Sequence, residues 1–153
     1  MNLQMVDAKT HPTSRHTPFT ERDEAPSEPV LFVVDDDAAT LALLSDIAED
    51  AGWAVRAFTR LRDLVARLDV DRPSLLIIDD DLPDGSGGDL ARALRDDARM
   101  NDVPLVVCTA AHPMRQVEIG AWAPVVSKPF NLTEIERFLD AAASRHLQQQ
   151  AAG

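Results

Sequence analysis

One cysteine in 153 residues excludes an internal disulfide. That cysteine, Cys108, lies within the apolar run Val103 to Cys108, which points to a buried, inert thiol in a reducing compartment. Basic residues are also scarce, 15 against 26 acidic, for a net charge of -11. Phosphate backbones demand a basic surface, so nucleic-acid binding is not expected, whereas a cation or a basic partner is. Long apolar runs are missing too. Met1 to Thr10 holds no apolar core of signal-peptide length, and no stretch approaches the roughly 20 apolar residues of a membrane span. A soluble, cytoplasmic protein that does not insert in membranes is the expectation, with one domain at this length.

Residues 1–28 carry Pro12, Pro18 and Pro26 and few large apolar residues, with neither a helical nor a strand period, and read as a disordered tail. His11 and His16 there have no third ligand near them and are assigned nothing. From Val30 the pattern changes. Val30 to Val34 is a continuous apolar run that stops at Asp35-Asp36-Asp37, and Leu75 to Ile78 is another that stops at Asp79-Asp80-Asp81. Unbroken apolar runs of this length, without alternation, are strands buried on both faces. Trp53 to Phe58, Val103 to Cys108 and Pro124 to Ser127 read as three further short strands.

Between them lie helical stripes. Leu41, Leu44, Ile47 and Ala48 follow a cap at Asp36 or Asp37, and Leu61, Leu64, Val65 and Leu68 follow a cap at Thr59. Leu90 and Leu94 follow Ser86, although Gly87 and Gly88 weaken the first turn. Pro113 and Gly120 leave the next helix about two turns. Asn131 and Glu134 resemble a capping box before the stripe Ile135, Phe138, Leu139 and Ala142, with fraying expected after Leu147 and a frayed tail over 148–153. Five strands alternating with five helices predict a doubly wound α/β fold with a five-stranded parallel sheet in a domain over 29–147.

The informative polar side chains all fall just past strands: Asp35 and Asp36, Asp79 and Asp81, Thr109, and Lys128. That edge is where such a sheet binds ligands.

In the pieces Val33-Val34-Asp35-Asp36-Asp37, Ile78 to Asp84, Val107-Cys108-Thr109-Ala110 and Ser127-Lys128-Pro129-Phe130, the chain resembles a receiver domain of two-component response regulators, of the stand-alone single-domain type. The resemblance implies the flavodoxin-like (βα)5 fold with strand order 2-1-3-4-5. It implies that Asp79 is the phosphoacceptor, that Asp35, Asp36, Asp79 and the Asp81 backbone carbonyl hold Mg²⁺, and that Thr109 and Lys128 contact the phosphoryl oxygens. It also implies a cis bond before Pro129. The donor would be a sensor histidine kinase or histidine phosphotransfer domain, and the target a protein reading the face of helix 4, strand 5 and helix 5. The chain would then be a signalling protein and not an enzyme in the ordinary sense, although it assists its own phosphorylation and dephosphorylation. With no output domain after the last helix, a partner would carry the effect, as target or as the next step of a phosphorelay.

Two features depart from that pattern. Val125 stands where an aromatic switch residue is usual, and the stretch from Thr109 to Lys128 is about one helical turn short, with Trp122 nearby as a replacement reporter. These favour a phosphorylation-independent binding module as one alternative. A haloacid-dehalogenase-like phosphatase uses the same residue types, but with the acidic pair last in the chain and not first. Converging carboxylates also repel one another and raise at least one pKa. A metal in such a site stabilises modestly, by about 0.4 kcal/mol when its concentration equals the dissociation constant and about 1.4 kcal/mol at tenfold excess. Adding a chelator in a thermal melt is therefore expected to lower Tm by a few degrees and leave the chain folded at 25 °C; unfolding on chelation contradicts this reading.

Overall fold

A computed structural model describes residues 27–152, so the tail expected over 1–28 lies outside the described residues apart from Ser27 and Glu28. Five parallel strands form the central sheet: β1 (Val30–Val34), β2 (Ala54–Phe58), β3 (Leu75–Asp79), and, numbering past a small hairpin of β4 (Asp81–Leu82) and β5 (Gly85–Ser86), β6 (Leu105–Thr109) and β7 (Val125–Ser127). Their order is β2-β1-β3-β6-β7, the 2-1-3-4-5 arrangement once the antiparallel hairpin is set aside. The helices are α1 (Ala38–Asp50), α2 (Leu61–Leu68), α3 (Gly87–Arg95), α4 (Pro113–Gly120) and α5 (Leu132–Ala152). None is long and apolar enough to cross a membrane.

The unbroken apolar runs are explained by a core on each side of the sheet. Leu31, Val33, Leu75, Ile77, Val106 and Cys108 face α1 and α5 through Leu44, Ala48, Ile135 and Leu139. Phe32, Val34, Leu76, Ile78, Leu105 and Val107 face α2, α3 and α4 through Leu64, Leu68, Ala91, Leu94 and Ile119. Successive side chains of a strand point to opposite faces, so a sheet covered twice needs apolar residues at every position. Each fully buried Leu, Ile or Val contributes roughly 1.5–3 kcal/mol. Phe32 adds an edge-to-face contact with Phe58 at 5.6 Å.

Several local expectations hold. Asp37 caps α1 by accepting from Thr40 N at 3.1 Å, and Ser86 caps α3 by accepting from Asp89 N at 3.2 Å. Others change. β6 begins at Leu105, two residues later than Val103, because Pro104 has no N–H to give to a ladder. Thr59 does not cap α2; the carboxylate of Asp84 reaches across from the hairpin and accepts from Leu61 N at 2.9 Å and Arg62 N at 3.0 Å. Asn131 accepts from Thr133 N at 2.8 Å where a bond from Glu134 N was expected. The fraying after Leu147 is absent, and α5 runs on to Ala152. Its last turns are tied to the segment before β1, since His146 Nε2 donates to Ser27 O at 2.9 Å and the Gln150 amide donates to the Ser27 hydroxyl.

Gly87 shows why a poor helix former opens α3. A Cβ there would meet the backbone oxygen of Asp79 at 2.0 Å, so the helix can start against the end of β3 only without a side chain. Helix propensity alone predicts that Gly87→Ala stabilises by about 1 kcal/mol. The packing predicts a loss of at least about 2 kcal/mol, read as a lower urea midpoint.

Candidate functional site

Because the strands are parallel, their C-terminal ends share one edge, and four of them place the polar residues singled out in the sequence. Asp35 leaves β1 at 2% exposure, Asp79 ends β3 at 5% and Thr109 ends β6 at 2%. Buried carboxylates are costly unless paired, and here one ammonium serves both. Lys128, just past β7, donates from Nζ to Asp35 Oδ2 at 2.8 Å and to Asp79 Oδ1 at 3.0 Å. Asp35 Oδ1 accepts in turn from Asp37 N at 2.9 Å. The Lys128-Pro129 bond is cis, as expected.

Asp36 is exposed, yet one oxygen from each of Asp35, Asp36 and Asp79 lies within 4.8 Å of the others. Three carboxylates around one ammonium leave two negative charges unmatched. An all-oxygen set with that charge deficit fits a hard divalent cation such as Mg²⁺. Asp81 is exposed at the start of β4, outside this trio. The Thr109 hydroxyl accepts from Ala111 N at 2.9 Å, and its carbonyl accepts from Lys128 N at 2.8 Å. An open cleft of about 650 Å³, lined by Asp80, Asp81, Leu82, Pro83, Thr109 and Ala110 among others, leads to this edge.

The electrostatics follow the burial. Desolvation pushes the Asp79 carboxyl above its ordinary value; the hydrogen bond from Lys128 opposes this and the neighbouring Asp35 charge adds to it. Burial alone would lower the Lys128 ammonium, but its bonds to Asp35 and Asp79 outweigh that and raise it. Cys108, in the core that faces α1 and α5, is pushed up to about 12 by burial, so its thiol is inert at neutral pH as expected.

Two participants escaped the sequence reading. Asp80, inside the triple Asp, turns away from Asp79, and Arg115 of α4 meets it at 3.2 Å. Burial would raise the Asp80 carboxyl, but the bonds from Arg115, Gly88 N and Ser86 outweigh it and hold it low. A lone arginine in a short helix carries no signal of such a role. Trp122 is packed on α3, its Nε1 donating to Gly88 O at 2.8 Å and its ring under Arg92 at 5.1 Å.

Residues 31–140 match the family described as response regulator receiver domain. The transcriptional regulatory protein GltR of Pseudomonas aeruginosa is 32% identical over 127 residues, covering 80% of this chain and 52% of its own length. The chain thus spans about half the length of GltR, and equally of PhoB from the same organism. The polar-differentiation response regulator DivK of Brucella anthropi is 26% identical over 120 residues, covering 74% of this chain and 93% of its own length. Among solved structures, the chemotaxis response regulator CheY4 of Vibrio cholerae superimposes with a TM-score of 0.67 at 23% identity, covering 76% of this chain and 99% of its own. A putative response regulator from Chloroflexus aurantiacus gives 0.70 at 21% identity, covering 77% and 99%. At such identities the likeness speaks for the fold.

Removing the shared cation leaves two buried carboxylates facing each other, so Lys128→Met is expected to cost about 2–3 kcal/mol in urea denaturation without metal. The folded state holds this ammonium more tightly than the unfolded chain does. Its contribution is therefore complete below the ordinary value of 10.5 and is lost as pH rises through the higher folded value. Asp79 has the same sign of pH dependence in a lower window, but there it is the charged form that is disfavoured. Its ionisation costs stability as pH rises from the ordinary 3.8 through the raised folded value. Asp79→Asn is thus expected to raise the metal-free midpoint at neutral pH and to lose that advantage in acid below 3.8; a lower midpoint at neutral pH contradicts it.

Proposed function

The chain belongs to the response regulator receiver domain family, and from that premise we propose that it accepts a phosphoryl group on Asp79 from a histidine kinase or a histidine phosphotransfer protein, with Mg²⁺, and signals through protein contacts. The observation that carries this reading is one buried carboxylate at a strand end, Asp79, held 3.0 Å from the ammonium of Lys128 beside the Asp35 and Asp36 carboxylates. Receiver domains interact with histidine kinases and with downstream effectors as signalling modules. The specific donor, a cytoplasmic setting and a stand-alone mode of action are part of the proposal. DivK, of which the chain covers 93%, supports the last.

In the proposed reaction an oxygen of Asp79 attacks phosphorus, the bond from phosphorus to the donor's imidazole nitrogen breaks, and the electron pair stays on that nitrogen. Asp35, Asp36, Asp79 and the Asp81 backbone carbonyl are the groups that would hold the cation. When bound, it screens the repulsion between the attacking carboxylate and the phosphoryl oxygens. Lys128, already on Asp79, supplies a charge-assisted donor to a transferred oxygen, and the Thr109 hydroxyl can donate to another. Burial keeps Asp79 desolvated and fixed, so positioning and charge cancellation supply most of the catalysis. The haloacid-dehalogenase-like alternative loses its basis with the family match over 31–140. A phosphorylation-independent binding module is favoured by Val125 and by the eight-residue α4.

Intact mass after incubation with acetyl phosphate or phosphoramidate tests the reading. The expected result is a gain of one phosphoryl group that needs Mg²⁺, is lost in Asp79→Asn and is slowed roughly tenfold or more in Thr109→Ala. No gain from small donors or from histidine kinases favours the binding module.

A further inference from the structure

We infer that the ion pair between Asp80 and Arg115 couples the phosphoacceptor to α4, an inference that rests on the acceptor role proposed for Asp79. Asp80 is the residue after Asp79, and each of its polar groups is engaged. Its N–H donates to Cys108 O at 3.0 Å and its carbonyl accepts from Gly87 N at 3.0 Å. Its carboxylate accepts from Ser86 Oγ and Gly88 N, each at 2.9 Å, and from Arg115 Nη2 at 3.2 Å. The same guanidinium donates to Ser86 Oγ at 2.8 Å and to Asp89 at 3.3 Å, and pairs with Glu118.

Two further observations mark this as a built contact. A Cβ on Gly88 would lie 2.8 Å from Asp80 Oδ1 and 3.0 Å from Arg115 Nη2, so the tie occupies space that a side chain would otherwise fill. The helix also has little apolar hold of its own: Ile119 is its buried residue, while Met114 and Val117 are each 72% exposed. Polar anchors take over at both ends, Arg115 onto Asp80 and Ser86, and Trp122, just past the helix, onto Gly88 O. Both anchors land on residues 80–88, the segment packed against the end of β3.

The short stretch from Thr109 through His112 joins the site edge directly to Pro113, the first residue of α4. A phosphoryl group on Asp79 brings about two negative charges and three strong acceptor oxygens to that edge. If Thr109 moves to donate to it, the connecting stretch pulls on the start of α4, where Arg115 holds the helix to Asp80. The pair therefore sets whether α4 follows the acceptor, and docked and released α4 are the two states that phosphorylation biases.

Hydrogen exchange of residues 113–120, measured with and without acetyl phosphate and Mg²⁺ alongside intact mass, tests this in wild type, Arg115→Gln and Asp80→Asn. In wild type, phosphorylation is expected to change exchange in α4 by roughly tenfold. In Arg115→Gln, α4 exchanges roughly tenfold faster before phosphorylation and responds no further, while the phosphoryl group is still gained. Arg115→Lys restores part of the response, and the double variant behaves like either single one. An undiminished α4 response in Arg115→Gln, or strictly additive effects in the double variant, overturns the inference. A wild type that gains no phosphoryl group contradicts the acceptor role itself, and the coupling falls with it.

Discussion

The Lys128 ammonium, shared between the buried carboxylates of Asp35 and Asp79, is the interaction on which this site depends. Two carboxylates at 2% and 5% exposure would repel each other strongly without it. With it, both are held by one donor and aimed at the same point. The pairing is incomplete by design of charge: one cation cannot neutralise Asp35, Asp36 and Asp79 together. That residual negative charge makes the edge receptive to a divalent cation. The same cation would in turn make the edge tolerant of an incoming phosphoryl group.

The sheet is what brings these groups within reach. Asp35, Asp79, Thr109 and Lys128 are separated by up to 93 residues in sequence, yet parallel strands in the order β2-β1-β3-β6-β7 deliver them to one edge. Burial on both faces makes β1, β3 and β6 rigid, so a carboxylate at the end of β1 or β3 is held in place by the core behind it. Glycine at 87 lets α3 start directly against Asp79, and Asp80 uses the same close approach to hold α4 through Arg115. The proposed acceptor and the residue that holds α4 are thus neighbours at one strand end.

Most of this edge was legible in the sequence because it is written locally. A continuous apolar run followed by Asp, or by Thr-Ala, or by Lys-Pro, is visible without knowing what lies across the sheet. The same holds for the caps at Asp37 and Ser86, which act three residues away. What escaped was non-local. Asp84 caps α2 from 23 residues further on, a partner that no local pattern around Thr59 encodes. Arg115 meets Asp80 across 35 residues, and α5 extends to Ala152 because Ser27, more than 100 residues earlier, holds its last turns. Pairing of this kind follows from tertiary packing, which local periodicity does not encode.

The central claim is that one particular carboxylate, Asp79, becomes the acyl phosphate, and trapping that bond tests it most directly. Borohydride reduces an acyl phosphate to an alcohol at the acceptor carbon, so peptide mapping after phosphorylation and reduction identifies the residue. A single modification at Asp79, dependent on Mg²⁺ during the phosphorylation step, is the predicted result. Modification at Asp35, Asp36 or Asp80, or a phosphoryl group that survives as a histidine or serine adduct with Asp79 untouched, would contradict the account.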